Sequence, residues 1–224
     1  MNAMAARFLA SESGGEVSSL LLEPENARAL YVFAHGAGAG MQNAFMNALA
    51  GTLADQGIAT FRYQFPYTEQ GRRFPDTRPI LYATVRSAVA FARKAVPDLP
   101  CYAGGKSMGG RMTSLAAAEA PLEGVQGIVF FGFPLHPAGN PGTERSDHLA
   151  EVSVRMLFLQ GTKDALAELT LLSPIVAALG RRARLHTVEG ADHSFHVARG
   201  SGRRDADVRE ELGRVMAAWI EERP

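Results

Sequence analysis

The chain has 224 residues, 46% hydrophobic and 21% charged, a composition typical of a folded globular protein. Its 23 basic residues balance 23 acidic residues, so no net charge favours nucleic acid or an anionic membrane as partner. The single cysteine, Cys101, excludes an internal disulfide, and no apolar run is long enough to predict a membrane span. Residues 1–15 lack the apolar region of a signal peptide, which favours a cytoplasmic location.

The first half of the chain alternates between strand and helix patterns. Residues 17–23 predict a strand that pairs with residues 7–10 as a hairpin. The apolar run Ala29–Ala34 predicts a strand buried on both faces. Asn43 suits the N-cap of a helix that ends at Gly57. This half ends with a predicted strand at 59–63, a polar loop at 64–77 and a helix from Pro79 to about Val96.

The same alternation continues to the end of the chain. Strands are predicted at residues 101–103, 125–131, 154–160 and 184–188, and helices at 111–118 and 169–179. Residues 132–145 have the Pro- and Gly-rich composition of a loop. The last helix has one apolar face, formed by Val208, Leu212, Val215, Met216, Trp219 and Ile220. We therefore expect one α/β domain over residues 1–224, with a mostly parallel sheet and helices on both faces.

The segment between the strand at 101–103 and the helix at 111–118 has the pattern of a nucleophile elbow, Gly105-x-Ser107-x-Gly109. A sharp turn holds such a serine in a strained backbone conformation, and this strain requires small neighbours. The glycines at 105 and 109 provide that space. The pattern therefore predicts Ser107 as a nucleophile.

A serine hydroxyl needs a base to take its proton and a third group to orient that base. Sites in open α/β sheets form at the carboxyl ends of strands, and there Asp164 and His193 follow two predicted strands. The order Ser107, Asp164, His193 is the one expected of an α/β-hydrolase triad. Asp192 is a rival acid, but side chains of adjacent residues usually diverge. We expect Asp192 to hydrogen-bond the loop backbone instead.

The anion of a tetrahedral intermediate needs preorganised N–H donors. Met108, directly after the nucleophile, offers one backbone N–H. The loop after Ala29–Ala34 begins His35-Gly36-Ala37-Gly38 and is similar to an esterase oxyanion loop. Ala37 is the first choice for the second donor, Gly38 is the alternative, and His35 is a candidate to brace this loop.

Other motifs share these residues. Gly105-Lys106-Ser107 resembles the end of a P-loop, but Pro100 stands where that motif needs a glycine. Gly36–Gly38 resembles the start of a dinucleotide fingerprint, but Met41 occupies the third glycine position.

A metal site is the remaining alternative. His193 and His196 beside Asp192 are possible ligands, but the chain has no helical H-E-x-x-H motif. We therefore expect no metal and no organic cofactor.

Several stretches together resemble the α/β-hydrolase superfamily, in its small dienelactone-hydrolase-like group. They are residues 35–38, 65–67, 71–73, 104–110, 133–137, 160–164 and 190–194. More narrowly, the chain resembles a domain shared by uncharacterised bacterial proteins, a testis-expressed protein and subunit 3 of a nonspecific-lethal chromatin complex. The resemblance implies a three-layer fold with Ser107, Asp164 and His193 as the triad. Dienelactone hydrolases carry a cysteine nucleophile, so the serine here argues against dienelactone as substrate.

The expected activity is carboxylesterase-like hydrolysis of a small or extended acyl substrate. The gap at residues 132–153 is too short for a large helical cap, which predicts an open site. The residues expected to contact substrate are His35, Gly38, Tyr67, Phe133, Leu135 and His136. Arg72, Arg73 or Arg145 could hold an anionic group.

The expected partner is a small acyl substrate rather than nucleic acid or a membrane, and the protein is expected to be a monomer or homodimer. The alternative function is a noncatalytic protein-interaction module, because the chromatin member of the narrower group acts as a scaffold.

Overall fold

A computed structural model describes residues 3–222, which form an eight-stranded sheet flanked by helices. The strands are β1 (Met4–Ser11), β2 (Gly15–Leu22), β3 (Ala29–Ala34), β4 (Ile58–Tyr63), β5 (Cys101–Lys106), β6 (Val125–Phe131), β7 (Arg155–Gly161) and β8 (Ala183–Val188). Their order in the sheet is β1-β2-β4-β3-β5-β6-β7-β8. β2 pairs antiparallel with β1 and β4, and all other neighbours pair in parallel.

Helices cover both faces of this sheet. They are α1 (Ala44–Asp55), α2 (Pro66–Glu69), α3 (Arg78–Ala95), α4 (Met108–Glu119), α5 (Leu169–Ala178) and α6 (Asp205–Glu221). Met46, Leu49 and Leu53 of α1 share one apolar core with the buried apolar residues of α6, and the buried apolar residues of α3, α4 and α5 belong to the core on the other face. The three-layer α/β architecture expected from the sequence, a mostly parallel sheet with helices on both faces, is confirmed.

Strand β3 is apolar throughout because both of its faces are buried. Tyr31 and Phe33 point into the core with α1 and α6, whereas Leu30 and Val32 point into the core with α3 and α4. Successive side chains of a strand face opposite sides of a sheet, so a central strand covered on both faces needs apolar residues at every position.

Two short helical segments were not predicted from the sequence. α2 falls within the polar loop at residues 64–77, and a 3-10 helix covers Glu144–Glu151. Contacts with distant residues hold both. Glu69 of α2 accepts hydrogen bonds from the backbone and side chain of Ser18, and Leu149 of the 3-10 helix is fully buried. Helices this short are not stable from local propensity, so the sequence pattern did not reveal them.

The connection from β6 to β7 contains only this 3-10 helix, so no large cap covers the sheet edge. Among residues 3–222, no helix is long and apolar enough to cross a membrane.

The connection from β5 to α4 is tighter than the sequence pattern predicted. β5 extends to Lys106 and α4 begins at Met108, so a single residue separates them. A Cβ at Gly105 would lie 2.4 Å from the carbonyl oxygen of Ala34, and a Cβ at Gly109 would lie 2.5 Å from the same oxygen. No side chain fits at these distances. The two glycines therefore allow α4 to start directly against the end of β3.

We expect Gly109→Ala to destabilise the protein by at least about 2 kcal/mol, because the new methyl group would overlap backbone atoms that cannot move independently. Gly51→Ala is the matched control: Gly51 also lies in a helix, α1, and has open space at its Cβ position. There alanine should stabilise by roughly 0.5–1 kcal/mol. Urea unfolding of both variants measures the difference, and equal effects would refute the close approach.

Candidate active site

Ser107 occupies the single position between β5 and α4. Its backbone has φ 51° and ψ −119°, a conformation that non-glycine residues rarely adopt. Its N–H donates to the carbonyl oxygen of Phe131 at 3.1 Å, which ties the turn to the neighbouring strand β6. Strain of this kind costs about 1–3 kcal/mol and persists only where the surroundings enforce it. The turn holds the Ser107 hydroxyl at the carboxyl edge of the sheet.

The imidazole of His193 lies between Ser107 and Asp164. Its Nε2 is 2.8 Å from Ser107 Oγ, and its Nδ1 is 2.7 Å from Asp164 Oδ2. The carboxylate can only accept, so Nδ1 carries the proton and Nε2 of the neutral ring accepts from the hydroxyl. The three residues predicted from separate strand ends therefore form one hydrogen-bonded chain.

Gln160 holds the carboxylate of Asp164 from behind, a role that the sequence did not predict. It is fully buried on β7, and its Nε2 donates to Asp164 Oδ2 at 2.5 Å. Its Oε1 accepts the N–H of Phe133 at 2.9 Å, and the N–H of Leu166 donates to Asp164 Oδ1 at 2.8 Å. Every oxygen of the Asp164 side chain is thus fixed. The position of Gln160, four residues before a candidate acid on the same strand end, was the available signal.

The two predicted oxyanion donors lie beside Ser107. Ala37 and Met108 line a cavity together with Ser107, and within residues 3–222 neither backbone N–H donates to another group. The N–H of Gly38, the alternative donor, instead donates to the hydroxyl of Tyr67 at 3.2 Å. Ala37 and Met108 are therefore the amides that remain free to bind an oxyanion.

His35 braces the loop that carries Ala37. Its Nε2 accepts the N–H of Phe65 at 3.1 Å, so its Nδ1 must carry the proton that bonds the carbonyl of Gly36 at 2.8 Å. Burial lowers the pKa of His35 to about 4, so the ring is neutral at pH 7. His35 and Tyr67 are both buried, and they hold the loop rather than line an open surface.

Asp192, the rival acid, faces its own loop. Its Oδ1 accepts the N–H groups of Ser194 and His196 at 2.7 and 2.9 Å. His196 pairs with Asp205 instead of turning toward His193. In the described part of the chain, no group of three or more His, Cys, Asp or Glu side chains could hold a metal ion.

Two cavities of about 410 Å³ each meet at Ser107, and both are lined by Ala37, Ser107 and Leu166. The first, which we call the arginine cavity, is completed by Pro75, Arg78, Leu81, Met108, Arg111, Met112, Pro134 and Arg145. The second, the histidine cavity, is completed by Gly36, Ala39, Asn43, Phe45, Lys106, His193 and Ser194. Space is therefore open on both sides of the Ser107 hydroxyl.

Three residues predicted to contact substrate lie in the core instead. Phe133, Leu135 and His136 are buried, and neither cavity is lined by them. Phe133 packs on aromatic rings of β6 and β7, and His136 Nε2 accepts the N–H of Glu168 at 3.4 Å. The strand-end loop turns inward at this point, so this geometry gives the predicted contacts no support. Their neighbour Pro134 lines the arginine cavity.

The three arginines suggested for an anionic group separate in the structure. Arg72 pairs with Asp76 at 2.5 Å, and Arg73 lies over the ring of Phe74 at 5.5 Å. Both are exposed and line neither cavity. Arg145 lines the arginine cavity, as do Arg78 and Arg111, which the sequence analysis did not single out.

Lys106 places a buried cation behind the imidazole of His193. Its Nζ has no hydrogen-bond partner among the described residues and lies 5.7 Å from the ring centroid of Phe195. A Cβ added at Gly132 would be 3.2 Å from Lys106 Nζ and 3.4 Å from His193 Nδ1, so these two groups are neighbours. Burial lowers the pKa of Lys106 to about 8, although Asp164 and Asp192 act in the opposite direction.

The sheet order, the tight turn at Ser107 and the position of the site at the strand ends define an α/β-hydrolase fold. A family model described as an alpha/beta hydrolase domain matches residues 27–221, and the chain belongs to this family.

Solved structures share the whole architecture at low sequence identity. Dienelactone hydrolase from Anabaena variabilis is similar with a TM-score of 0.75 and 20% identity, over 98% of each chain. A serine hydrolase without lid from Xanthomonas campestris has a TM-score of 0.75 and 21% identity, over 100% of this chain and 98% of that one. The esterase domain of a Rhodothermus marinus protein has a TM-score of 0.69 and 18% identity, over 98% of each chain. At these identities the likeness establishes the fold.

We expect Lys106→Met to stabilise the protein at pH 7 by up to roughly 3 kcal/mol, because it removes a buried charge. The folded-state pKa of about 8 lies below the unfolded value, so the penalty applies fully below pH 8 and fades as the pH rises toward 10.5. The gain should therefore shrink between pH 8 and pH 10.5. Urea unfolding at pH 7 and pH 10 measures it. Lys94→Met, at an exposed position on α3, is the control; an equal gain there would contradict the burial penalty.

Proposed function

We propose that this protein is a serine hydrolase that transfers the acyl group of a carboxylic ester to water. The observation that carries the proposal is the continuous hydrogen-bonded chain from Ser107 Oγ through His193 to Asp164 Oδ2, with contacts of 2.8 and 2.7 Å. These distances lie within the range required for proton transfer between a nucleophile and its base. The likeness to esterase and serine hydrolase structures is consistent with this activity.

In the proposed acylation step, Ser107 Oγ attacks the ester carbonyl while His193 Nε2 takes the hydroxyl proton. The negative charge that develops on the carbonyl oxygen is bound by the free N–H groups of Ala37 and Met108. Asp164, fixed by Gln160 and the Leu166 N–H, holds the imidazole and stabilises its positive charge. The bond between the carbonyl carbon and the alcohol oxygen then breaks, and His193 gives its proton to that oxygen.

In the proposed deacylation step, a water molecule replaces the alcohol. His193 takes a proton from this water as its oxygen bonds to the acyl carbon, and the same proton returns to Ser107 Oγ when the acyl-enzyme bond breaks. The products are a carboxylic acid, which ionises at neutral pH, and an alcohol. Both steps use groups of the chain itself. Residues 132–154 form no large cap over the sheet edge, so this water can reach the site.

The narrower kinship with the testis-expressed protein and the chromatin-complex subunit is a second part of the proposal, supported by the motifs around Ser107, Asp164 and His193. Because one member of that group acts as a scaffold, the noncatalytic module is the alternative to be tested. The two functions differ in one property: only an active hydrolase has a nucleophilic Ser107.

We expect a fluorophosphonate to modify the parent protein once, at Ser107, and to leave Ser107→Ala unmodified. Hydrolysis of short esters by Ser107→Ala should fall by at least about 10³-fold, because the nucleophile is removed while the fold is kept. Ser173→Ala, an exposed serine of α5, is the matched control and should react as the parent does. Intact mass and peptide mapping identify the labelled residue. An unlabelled parent would favour the noncatalytic module.

We expect Gln160→Leu to lower kcat by about 10- to 100-fold with little change in KM. The substitution keeps the volume but removes the hydrogen bond to the charged Asp164, worth roughly 1.5–3 kcal/mol, and it also removes the acceptor of the Phe133 N–H. Gln126→Leu makes the same change at an exposed position on β6 and should leave kcat unchanged. Steady-state kinetics separate kcat from KM. A kcat equal to that of the parent would show that Asp164 does not need this support.

A further inference from the structure

We propose that the arginine cavity binds the acyl part of the substrate and that this acyl part ends in a carboxylate, held by Arg78, Arg111 and Arg145. This inference rests on the proposed function, because it assigns the two halves of an ester that reacts at Ser107. It names the substrate class as monoesters of dicarboxylic acids.

The three arginines come from three separate elements and meet in one cavity. Arg78 is the first residue of α3, Arg111 lies in the first turn of α4, and Arg145 lies in the 3-10 helix. All three line the space that also contains Ser107 and Met108. The three guanidinium groups therefore lie close together because of the tertiary fold, and not because they are close in the sequence.

None of these arginines is neutralised by the protein. Within residues 3–222, neither Arg78, Arg111 nor Arg145 forms an ion pair with a carboxylate, whereas Arg72 and Arg86 do. Arg111 Nε is buried and has no hydrogen-bond partner in the described part of the chain. Arg145 makes one long hydrogen bond, to the carbonyl of Pro134 at 3.4 Å.

Arg111 and Arg145 are partly buried, whereas Arg78 is exposed. Three guanidinium groups that converge on one cavity without a carboxylate partner among residues 3–222 indicate a ligand of opposite charge. The mutual repulsion of the three is visible at Arg111, whose pKa is lowered by burial first and then by the charges of Arg145 and Arg78.

The titratable neighbours of the cavity do not supply the missing negative charge. Burial, followed by the charges of Arg111 and Arg78, lowers the pKa of His148 to about 4, so this imidazole is neutral at pH 7 and bonds Ser114 at 2.7 Å. Burial raises the pKa of Tyr82, despite the opposing effect of the same arginines, so its phenol is also neutral. The cavity therefore presents a positive field at neutral pH.

The shape of a guanidinium group favours a carboxylate as the ligand. Its planar N–H fork binds two carboxylate oxygens at once, and such charge-assisted pairs are stronger than neutral hydrogen bonds. The remaining walls are apolar and include Leu81, Met112 and Leu166. A short methylene chain between the reacting carbonyl and the carboxylate would contact these side chains.

The position of His193 indicates which cavity would bind the alcohol part of the ester and which would bind the acyl part. His193 must protonate the departing alcohol oxygen, and it lines the histidine cavity but not the arginine cavity. The alcohol part therefore belongs on the side of His193 and Ser194, and the acyl part belongs on the side of the arginines. Hydrolysis then converts a monoester of a dicarboxylic acid and water into the dicarboxylate, an alcohol and a proton.

The test compares two esters of equal chain length, monoethyl glutarate and ethyl valerate, by the ratio of their kcat/KM values. We expect the parent to prefer monoethyl glutarate. In Arg111→Gln and, as a second variant, Arg145→Gln, the ratio should fall by about 10-fold or more, since each removes a charge-assisted hydrogen bond. Arg72→Gln, outside the cavity and paired with Asp76, should keep the parent ratio. A ratio that is the same in parent and cavity variants would overturn the proposal.

Two further measurements separate this inference from the proposed function. Calorimetric titration of glutarate into Ser107→Ala needs no turnover: binding that is lost in Ser107→Ala/Arg111→Gln supports the cavity even if no ester is hydrolysed, and no binding to Ser107→Ala counts against it. The valerate ester of glycolate carries its charge on the alcohol part. If it is hydrolysed faster than monoethyl glutarate, the proposed function stands and the assignment of the arginine cavity is overturned.

Discussion

The close contact between the end of β3 and the start of α4 is the constraint on which the site depends. It exists because Gly105 and Gly109 have no side chains where the carbonyl of Ala34 passes. This contact forces the one residue between β5 and α4 into its strained conformation, so Ser107 projects from the edge of the sheet. It also places the N–H groups of Ala37 and Met108 beside the same hydroxyl. One backbone feature thus positions both the proposed nucleophile and the proposed oxyanion donors.

A second constraint is the distribution of charge around this feature. The chain has no net charge, yet the surroundings of Ser107 contain Lys106 on one side and Arg78, Arg111 and Arg145 on the other. The one carboxylate in direct contact with the site, Asp164, is bonded to His193 and Gln160. The electrostatic field at Ser107 is therefore positive. Such a field suits a reaction in which negative charge develops on a carbonyl oxygen, and it costs stability in the resting protein.

The sequence predicted which strand ends lie together, because this depends on the backbone topology alone. Alternating strands and helices bring the carboxyl ends of β5, β7 and β8 to one edge, so Ser107, Asp164 and His193 could be assigned without knowledge of any side-chain contact. The sequence correctly predicted a tight turn before α4. It did not predict that β5 continues to Lys106 and that α4 begins at Met108, because glycines occupy the end of β5 and the start of α4. Glycine has a low helix propensity, so the pattern does not predict a helix there. The close packing against β3 is the reason why glycine is required at positions 105 and 109.

Most residues that support the site could not be predicted in this way. Gln160 and Tyr67 act through hydrogen bonds to distant backbone groups, and spacing along the chain does not encode such partners. His35 is the exception, because it lies at the start of the loop that it braces. Charged residues at helix starts, such as Arg78 and Arg111, have the pattern of a solvated surface. Their convergence depends on how α3 and α4 pack.

The open form of the site and its charge are connected. With no cap over the sheet edge, a substrate keeps much of its apolar surface in contact with water, so burial contributes less to binding than it does in an enclosed pocket. An open site that discriminates among small acyl groups must then rely on directed polar contacts. In the proposed function, three arginines that have no carboxylate partner among residues 3–222 provide such contacts beside Ser107, on the side away from His193. The same openness would give water direct access to an acyl group held at Ser107, so the proposed selection by charge and the proposed release by hydrolysis rest on one architecture.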